Sequence, residues 1–387
     1  SNGNKALQVI AEKLLFIIGQ DYDIYKYSGD SFIVLSKKTY GKKDVYRFDQ
    51  GLIENALLNP RHYEVEIDKN NFSLSASLGS AIFNPAEQTI EAVINVLEHA
   101  VKLAKKSAPF GLCHISGDGI EEFDRYLAIK EKLKSAIQRD ELSLALQPQV
   151  DQKGYLTSFE ALVRWQSPEL GWVSPGDFIP IAEESHIICD LGEVVLNKTL
   201  LVLEEFIAKG IDASIAINIS ARQIILPDFA SSLLARVKKH GIPPQMLVLE
   251  LTETALVVDI QLVKQTMLEL AKFGFRFSVD DFGTGYSSLA YLKELPITEL
   301  KIDKFFVDDI CEENSGKASQ IVDAIIEMSK ALGVTCVAEG VETESQLSYL
   351  AERGCDRFQG YYFSKPLPVL HWQQINLQDK VGFSAVM

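Results

Sequence analysis

From Leu142 to Phe363, strand-like apolar runs alternate with helical stretches in a regular series. The strand candidates are LSLALQPQV, SFEALVRW, ASIAINIS, MLVLELT, FRFSVDD, ELKID, VTCVAEG and RFQGYYF. Between them lie LGEVVLNKTLLVLEEFIAKG, FASSLLARVKKHG, IQLVKQTMLELAKFG and ASQIVDAIIEMSKALG, each ending on glycine, a common helix stop. Eight such strands with intervening helices over about 250 residues predict a (β/α)₈ barrel. An open doubly wound sheet is the competing arrangement, but no glycine-rich dinucleotide fingerprint follows the first strand.

The 387 residues leave room for a second, smaller domain, and nearly half of them are apolar. The chain ahead of residue 115 reads as helix, then the hairpin YDIYKYSGDSFIVLS, a helical stretch near Lys43–Leu58, the alternating strand FSLSASLGSAIF and the amphipathic helix IEAVINVLEHAVKLAKKS. The expected division is therefore residues 1–115 as a small α/β domain, 116–137 as a connecting helix, 138–375 as the barrel and 376–387 as a tail. The opening Ser1-Asn2-Gly3 reads as a tag remnant and is set aside.

No apolar run is long enough to span a bilayer, and no signal peptide is visible, so this segment is expected to make no membrane contact. Five scattered cysteines fit neither a disulfide framework nor a zinc spacing, which favours a reducing, cytoplasmic setting. A membrane tether in a longer natural protein stays compatible with that. A net charge of −15 argues against DNA as a partner, because phosphates repel an acidic surface. A phosphate ligand remains open to such a chain where cations mediate the contact.

Barrel sites lie at the C-terminal ends of the strands. Here those ends carry Glu160, Asn218, Glu250, Asp280 with Asp281, Lys301, Glu339 and Gln359. Taken singly, each has an ordinary reading: an Asp-Asp pair on solvated surface, a strand-end lysine, an asparagine in a turn. Together they put a polar group on seven successive strands at one rim, where burial costs free energy unless the group is paired. Crowded carboxylates repel and take up protons unless cations intervene. All-oxygen ligation without histidine suits Mg²⁺ or Mn²⁺ rather than zinc, and paired hard cations are a usual device for phosphodiester hydrolysis. The glycines of FGTGYSS would let the backbone turn sharply beside them.

The series FEALVRW, INIS, LELTET, DDFGTGYSSLAYLKELPITELKID, VAEGVET and FQGYYFSKPL resembles the motif series of EAL domains, in order, over roughly Tyr126 to Trp372. That resemblance implies a modified (β/α)₈ TIM-like barrel that hydrolyses cyclic di-GMP to linear pGpG with two Mg²⁺ or Mn²⁺ ions. It implies that Glu160, Asn218, Glu250 and Asp280 hold one metal, and that Asp280, Asp281 and Glu339 surround the other. By the same resemblance Lys301 assists the water, while Gln147, Arg164 and Gln359 face the substrate. Glu253 would pin the DDFGTGYSS loop, which in the family couples homodimerisation to catalysis, and Glu342 would brace the site. A non-catalytic cyclic di-GMP receptor is the alternative, but such domains typically lose ligands that are all present here.

The first half resembles the C-terminal part of a GGDEF domain, the cyclic di-GMP synthase fold, through YKYSGDSFIVLS, FSLSASLGSAIF and LEHAVKLAKKS. Its signature turn reads Ser28-Gly29-Asp30-Ser31-Phe32, so the first glycine and the catalytic glutamate are replaced. The family's first strand is missing, and no arginine precedes Arg47. Synthase activity is not expected of it.

Overall fold

The computed structural model describes residues 2–18, 22–37, 64–67, 70–73, 77–86, 88–107, 112–115, 117–256, 259–283, 292–310 and 316–374. The chain divides into two compact units, Ser1–Ala128 and Ile129–Met387, with the helix Gly117–Gln138 running through the division.

In the first unit the helix Asn2–Ile18 takes in Asn2 and Gly3, which the sequence reading had set aside. The expected hairpin forms: Tyr22–Ser28 pairs antiparallel with Ser31–Ser36 around Gly29-Asp30. Leu14 and Tyr22 are buried there, with Ile10, Ile24, Phe32, Val34 and Leu78 against them. FSLSASLGSAIF does not form one strand. Asn70–Ser73 pairs antiparallel with Glu64–Ile67, whereas Leu78–Ala81 pairs parallel with Leu112–Ile115 across the helix Ile90–Ser107. Alternation marked both pieces as extended but carried no information on their separate partners. The helix expected near Lys43–Leu58 lies outside the described residues, as does the tail at 376–387.

The second unit is the barrel. Its strands are Leu142–Asp151, Leu156–Ser167, Ser214–Asn218, Leu247–Thr252, Arg276–Phe282, Glu299–Ile302, Thr335–Ala338 and Arg357–Phe358, so all eight expected strands form. Seven run parallel, from Leu156–Ser167 around the ring to Arg357–Phe358. The closing strand, Leu142–Asp151, is antiparallel to both of its neighbours, Leu156–Ser167 and Arg357–Phe358. A tight connection between the first two strands forces that reversal, because a parallel pair would need a long crossover.

Alternation sorts the side chains. Leu247, Leu249 and Leu251 point outward and are fully buried under the surrounding helices, each contributing about 1.5–3 kcal/mol of apolar burial. Helices Ile187–Ala208, Phe229–Lys239, Ile260–Ala271 and Gly316–Leu332 form much of this outer layer. Trp372, from the last helix, packs edge-on against Phe159 and donates its indole N–H to the Leu146 carbonyl, covering the reversed strand. The inward positions are largely polar.

Candidate active site

Parallel register brings the inward residues of neighbouring strands to one level. Glu250 lies two residues above Val248, Asp280 two above Ser278, and Lys301 two above Glu299, all on the interior face. The Lys301 ammonium is fully buried at the centre. It lies 3.4 Å from Glu160 Oε2, 3.2 Å from Glu250 Oε2 and 3.4 Å from Asp280 Oδ1, and it also contacts the Glu339 carboxylate. Four carboxylates against one ammonium leave a formal charge of −3 if all are ionised (−4 + 1).

That excess acts on the acids. Burial pushes the Glu339 carboxyl up to about 8, with the charges of Asp280 and Glu160 adding to it and Lys301 opposing. Glu250 is pushed well above the ordinary carboxylate range by burial and by Glu160, Asp280 and Glu339, despite Lys301. Glu160 goes the other way: burial works to raise it, but Lys301, Gln359 and Asn218 together more than offset this. Lys301 itself is held well above the ordinary lysine range, because its acidic neighbours outweigh the burial that opposes them. In the metal-free site those neighbours favour the ammonium form.

Asp281 follows Asp280 at the end of the same strand. Its φ is +54°, an unusual conformation for a non-glycine residue. Burial, Asp280 and a hydrogen bond with Asp303 push its carboxyl up to about 7. Gly283 follows at φ +97°, with the Phe306 ring 3.0 Å from where a Cβ would stand, so only glycine fits. Its N–H donates to Glu253 Oε2 at 3.0 Å, and Glu253 is buried. Glu253 thus anchors the start of the loop; residues 284–291 lie outside the described residues.

Gln359 donates to Glu160 Oε2 at 2.7 Å and to Gln147 Oε1 at 3.2 Å, so both glutamines join the cluster from the closing side. Asn218 donates to Glu160 Oε1 at 3.0 Å. Arg164 lies on the same strand and face as Glu160; burial lowers its guanidinium pKa, the Glu160 charge opposes this, and it donates to the Val163 carbonyl. Glu342 is not in the cluster. Its side chain is 44 % exposed and pairs with Lys304 at 2.6 Å. Sequence reasoning passed over Asp303, two residues after Lys301, and Gln149, two after Gln147. The period-two alternation that selected Lys301 and Gln147 was the available signal for both.

The donor set fits divalent cations. It is all oxygen, its charge exceeds what Lys301 neutralises, and Glu250 Oε1 is buried with no hydrogen-bond partner among the described residues. Oxygen-rich clusters of this kind suit chemistry on phosphate esters.

The sequence model of the EAL domain matches residues 130–366. The signaling protein YkoW of Bacillus subtilis is 33% identical over 386 residues, which is 97% of this chain and 46% of that protein. The bifunctional diguanylate cyclase/cyclic di-GMP phosphodiesterase MucR of Pseudomonas aeruginosa is 31% identical over 95% of this chain and 53% of its own length. The cyclic di-GMP phosphodiesterase PdeR of Escherichia coli is 30% identical over 96% of this chain and 55% of its own length. The chain thus spans about half the length of these relatives. Among solved structures, the PaMucR phosphodiesterase in complex with c-di-GMP superposes with a TM-score of 0.61 at 36% identity, covering 63% of this chain and 99% of that one. The EAL enzyme Bd1971, in its cAMP and cyclic-di-GMP bound form, gives 0.61 at 33% identity, covering 65% of this chain and 68% of that one.

Proposed function

Because this chain belongs to the EAL-domain family, we propose that its barrel hydrolyses cyclic di-GMP to linear pGpG with Mg²⁺ or Mn²⁺. The observation that carries the reading is the ring of Glu160, Glu250, Asp280 and Glu339 around a single buried ammonium. A receptor needs no such surplus of buried negative charge; a two-cation phosphodiesterase does.

Glu160, Asn218, Glu250 and Asp280 are the residues to hold one cation, and Asp280, Asp281 and Glu339 the other. Bound cations supply Lewis acidity toward the phosphate and make a water acidic enough to attack it. Lys301 fixes the four carboxylates around one point and keeps a positive charge beneath the reacting phosphate. Gln147 and Arg164 line the approach as contacts for the dinucleotide, and Gln359 ties Gln147 to Glu160. Glu253 holds the backbone at Gly283, so the Asp280-Asp281 turn keeps its geometry. Glu342 acts at a distance from the acids, by holding Lys304.

A homodimer through the barrel belongs to the same proposal and is checked by sedimentation. The hairpin unit is a synthase remnant in this reading: Ser28 and Ser31 stand where synthase chemistry needs glycine and glutamate. It should make no cyclic di-GMP from GTP, and Ser31→Glu alone should not change that. The deciding experiment incubates the whole chain with cyclic di-GMP and Mg²⁺ and separates the products. Linear pGpG supports the enzyme. Tight binding without turnover in either Mg²⁺ or Mn²⁺ would make it a receptor.

A further inference from the structure

Below the carboxylates the interior carries a chain of buried amides. Gln149 is 1% exposed, Ser158 2% and Gln359 4%. Ser158 Oγ donates to Gln149 Oε1 at 2.6 Å, and Gln149 Nε2 donates to Gln359 Oε1 at 2.9 Å. Gln359 Nε2 then donates to Glu160 Oε2 and Gln147 Oε1, and Gln147 Nε2 ends on the Ser364 carbonyl at 3.2 Å. The direction of the chain is set at its ends. An ionised carboxylate and a backbone carbonyl only accept, so each amide must turn its NH₂ toward them and its oxygen away. Turning any one amide over would place NH₂ against NH₂ or oxygen against oxygen in a buried site, where an unmade hydrogen bond is costly.

We propose that Gln149 and Ser158 are positioning residues for the cation site, acting through Gln359 to hold an N–H on Glu160 Oε2. The inference rests on reading Glu160 as a cation ligand. Without Gln149, the Gln359 oxygen loses its donor, and the Gln359 side chain loses the contact that fixes where its N–H meets Glu160 Oε2. Glu160 is then no longer fixed between Gln359, Asn218 and Lys301. Partners that orient a metal ligand in this way typically change affinity or activity by about 10–100-fold. Neither residue touches substrate in this account, and nothing in the chain of amides has to titrate.

The test uses the whole chain, freed of metal, with Mn²⁺ binding followed by electron paramagnetic resonance. Melting temperature, kcat and KM are measured beside it. Gln149→Leu removes both bonds at similar volume. Gln149→Glu keeps the size but offers only acceptors to Gln359, so it reverses the chain. The expected weakening of Mn²⁺ binding is about tenfold for Gln149→Leu, at least as much for Gln149→Glu, and a few-fold for Ser158→Ala. The drop in kcat should recover as Mn²⁺ is raised, with KM for cyclic di-GMP unchanged at saturating metal. Because Ser158 acts only through Gln149, the double variant Ser158→Ala/Gln149→Leu should bind Mn²⁺ no more weakly than Gln149→Leu alone. Wild-type Mn²⁺ affinity in a folded Gln149→Leu protein, with only the melting temperature lowered, overturns the proposal. So do affinity losses that add in the double variant. If Gln149→Leu does not fold, Ser158→Ala decides, and unchanged affinity there overturns it. A wild-type protein that binds no Mn²⁺ overturns both this inference and the reading of the site, and that control separates the two failures.

Discussion

Asp280 and Arg276 stand on the same face of the strand Arg276–Phe282 and meet opposite surroundings. At the upper level Asp280 joins three other acids around one lysine. At the lower level Arg276 and Arg357 flank Glu299, whose Oε2 accepts from Arg357 Nη1 at 2.9 Å, with the charge of Asp212 nearby. The same strands supply both levels: Glu299 lies below Lys301, and Arg357 below Gln359. Below, two guanidiniums and two carboxylates balance (+2 − 2 = 0). Above, they do not. Balanced charge at the N-terminal end of a barrel serves the fold, whereas surplus charge at the C-terminal end is stability given up for chemistry.

That contrast can be broken from either end. The largest effect is expected from Asp280→Ala, which should reduce pGpG formation to background while leaving melting in EDTA unchanged or raised, since one charge leaves a repelling cluster. A large fall in the EDTA melting temperature would mean that the upper acids serve the fold after all. Next comes Lys301→Met. Turnover in Mg²⁺ should drop by about two to three decades, as for other groups that stabilise charge in the transition state. Affinity for cyclic di-GMP, measured with Ca²⁺ in place of Mg²⁺, should stay near normal. The metal-free variant should also melt lower, and more so at pH 8 than at pH 5, because protonated acids do not need the ammonium. Parallel loss of affinity and rate would make Lys301 a substrate-positioning residue.

At the lower level Glu299→Gln leaves two half-buried guanidiniums short of a counter-charge. It should cost about 2 kcal/mol in urea denaturation, while kcat of the folded fraction holds within about twofold. A catalytic defect with normal stability would erase the distinction between the two ends. The smallest expected effect is a pH slope. Glu339 sits near 8 and Glu250 well above the ordinary range, so the folded, metal-free protein retains protons that the unfolded chain has released. Their contribution to stability is complete below the ordinary carboxylate pKa and is lost as pH rises through about 8. The metal-free melting temperature should therefore fall between about pH 5 and pH 8, and saturating Mg²⁺ should flatten the slope. A flat metal-free profile would show the acids already neutralised by other means.

The sequence by itself determined the eight strands, the rim residues at their ends and the helices that stop on glycine. These are local properties: period-two and helical patterning, and the chemistry of residues adjacent in the chain. It also selected Glu253 and the Asp280-Asp281 turn, because both belong to contiguous motifs. Tertiary structure alone decided which of the rim groups meet. Lys301 reaches Glu160 across 141 residues, and Gln149 reaches Gln359 across 210. The patterning is the same whichever strands become neighbours, so closure of the barrel had to place those partners. It also reversed the first strand, kept Glu342 outside the acids, and separated FSLSASLGSAIF into strands with different partners. A pattern assigns a side chain to a face; only the register of the closed sheet assigns it a neighbour, and the charge balance that distinguishes the two ends of this barrel depends on neighbours.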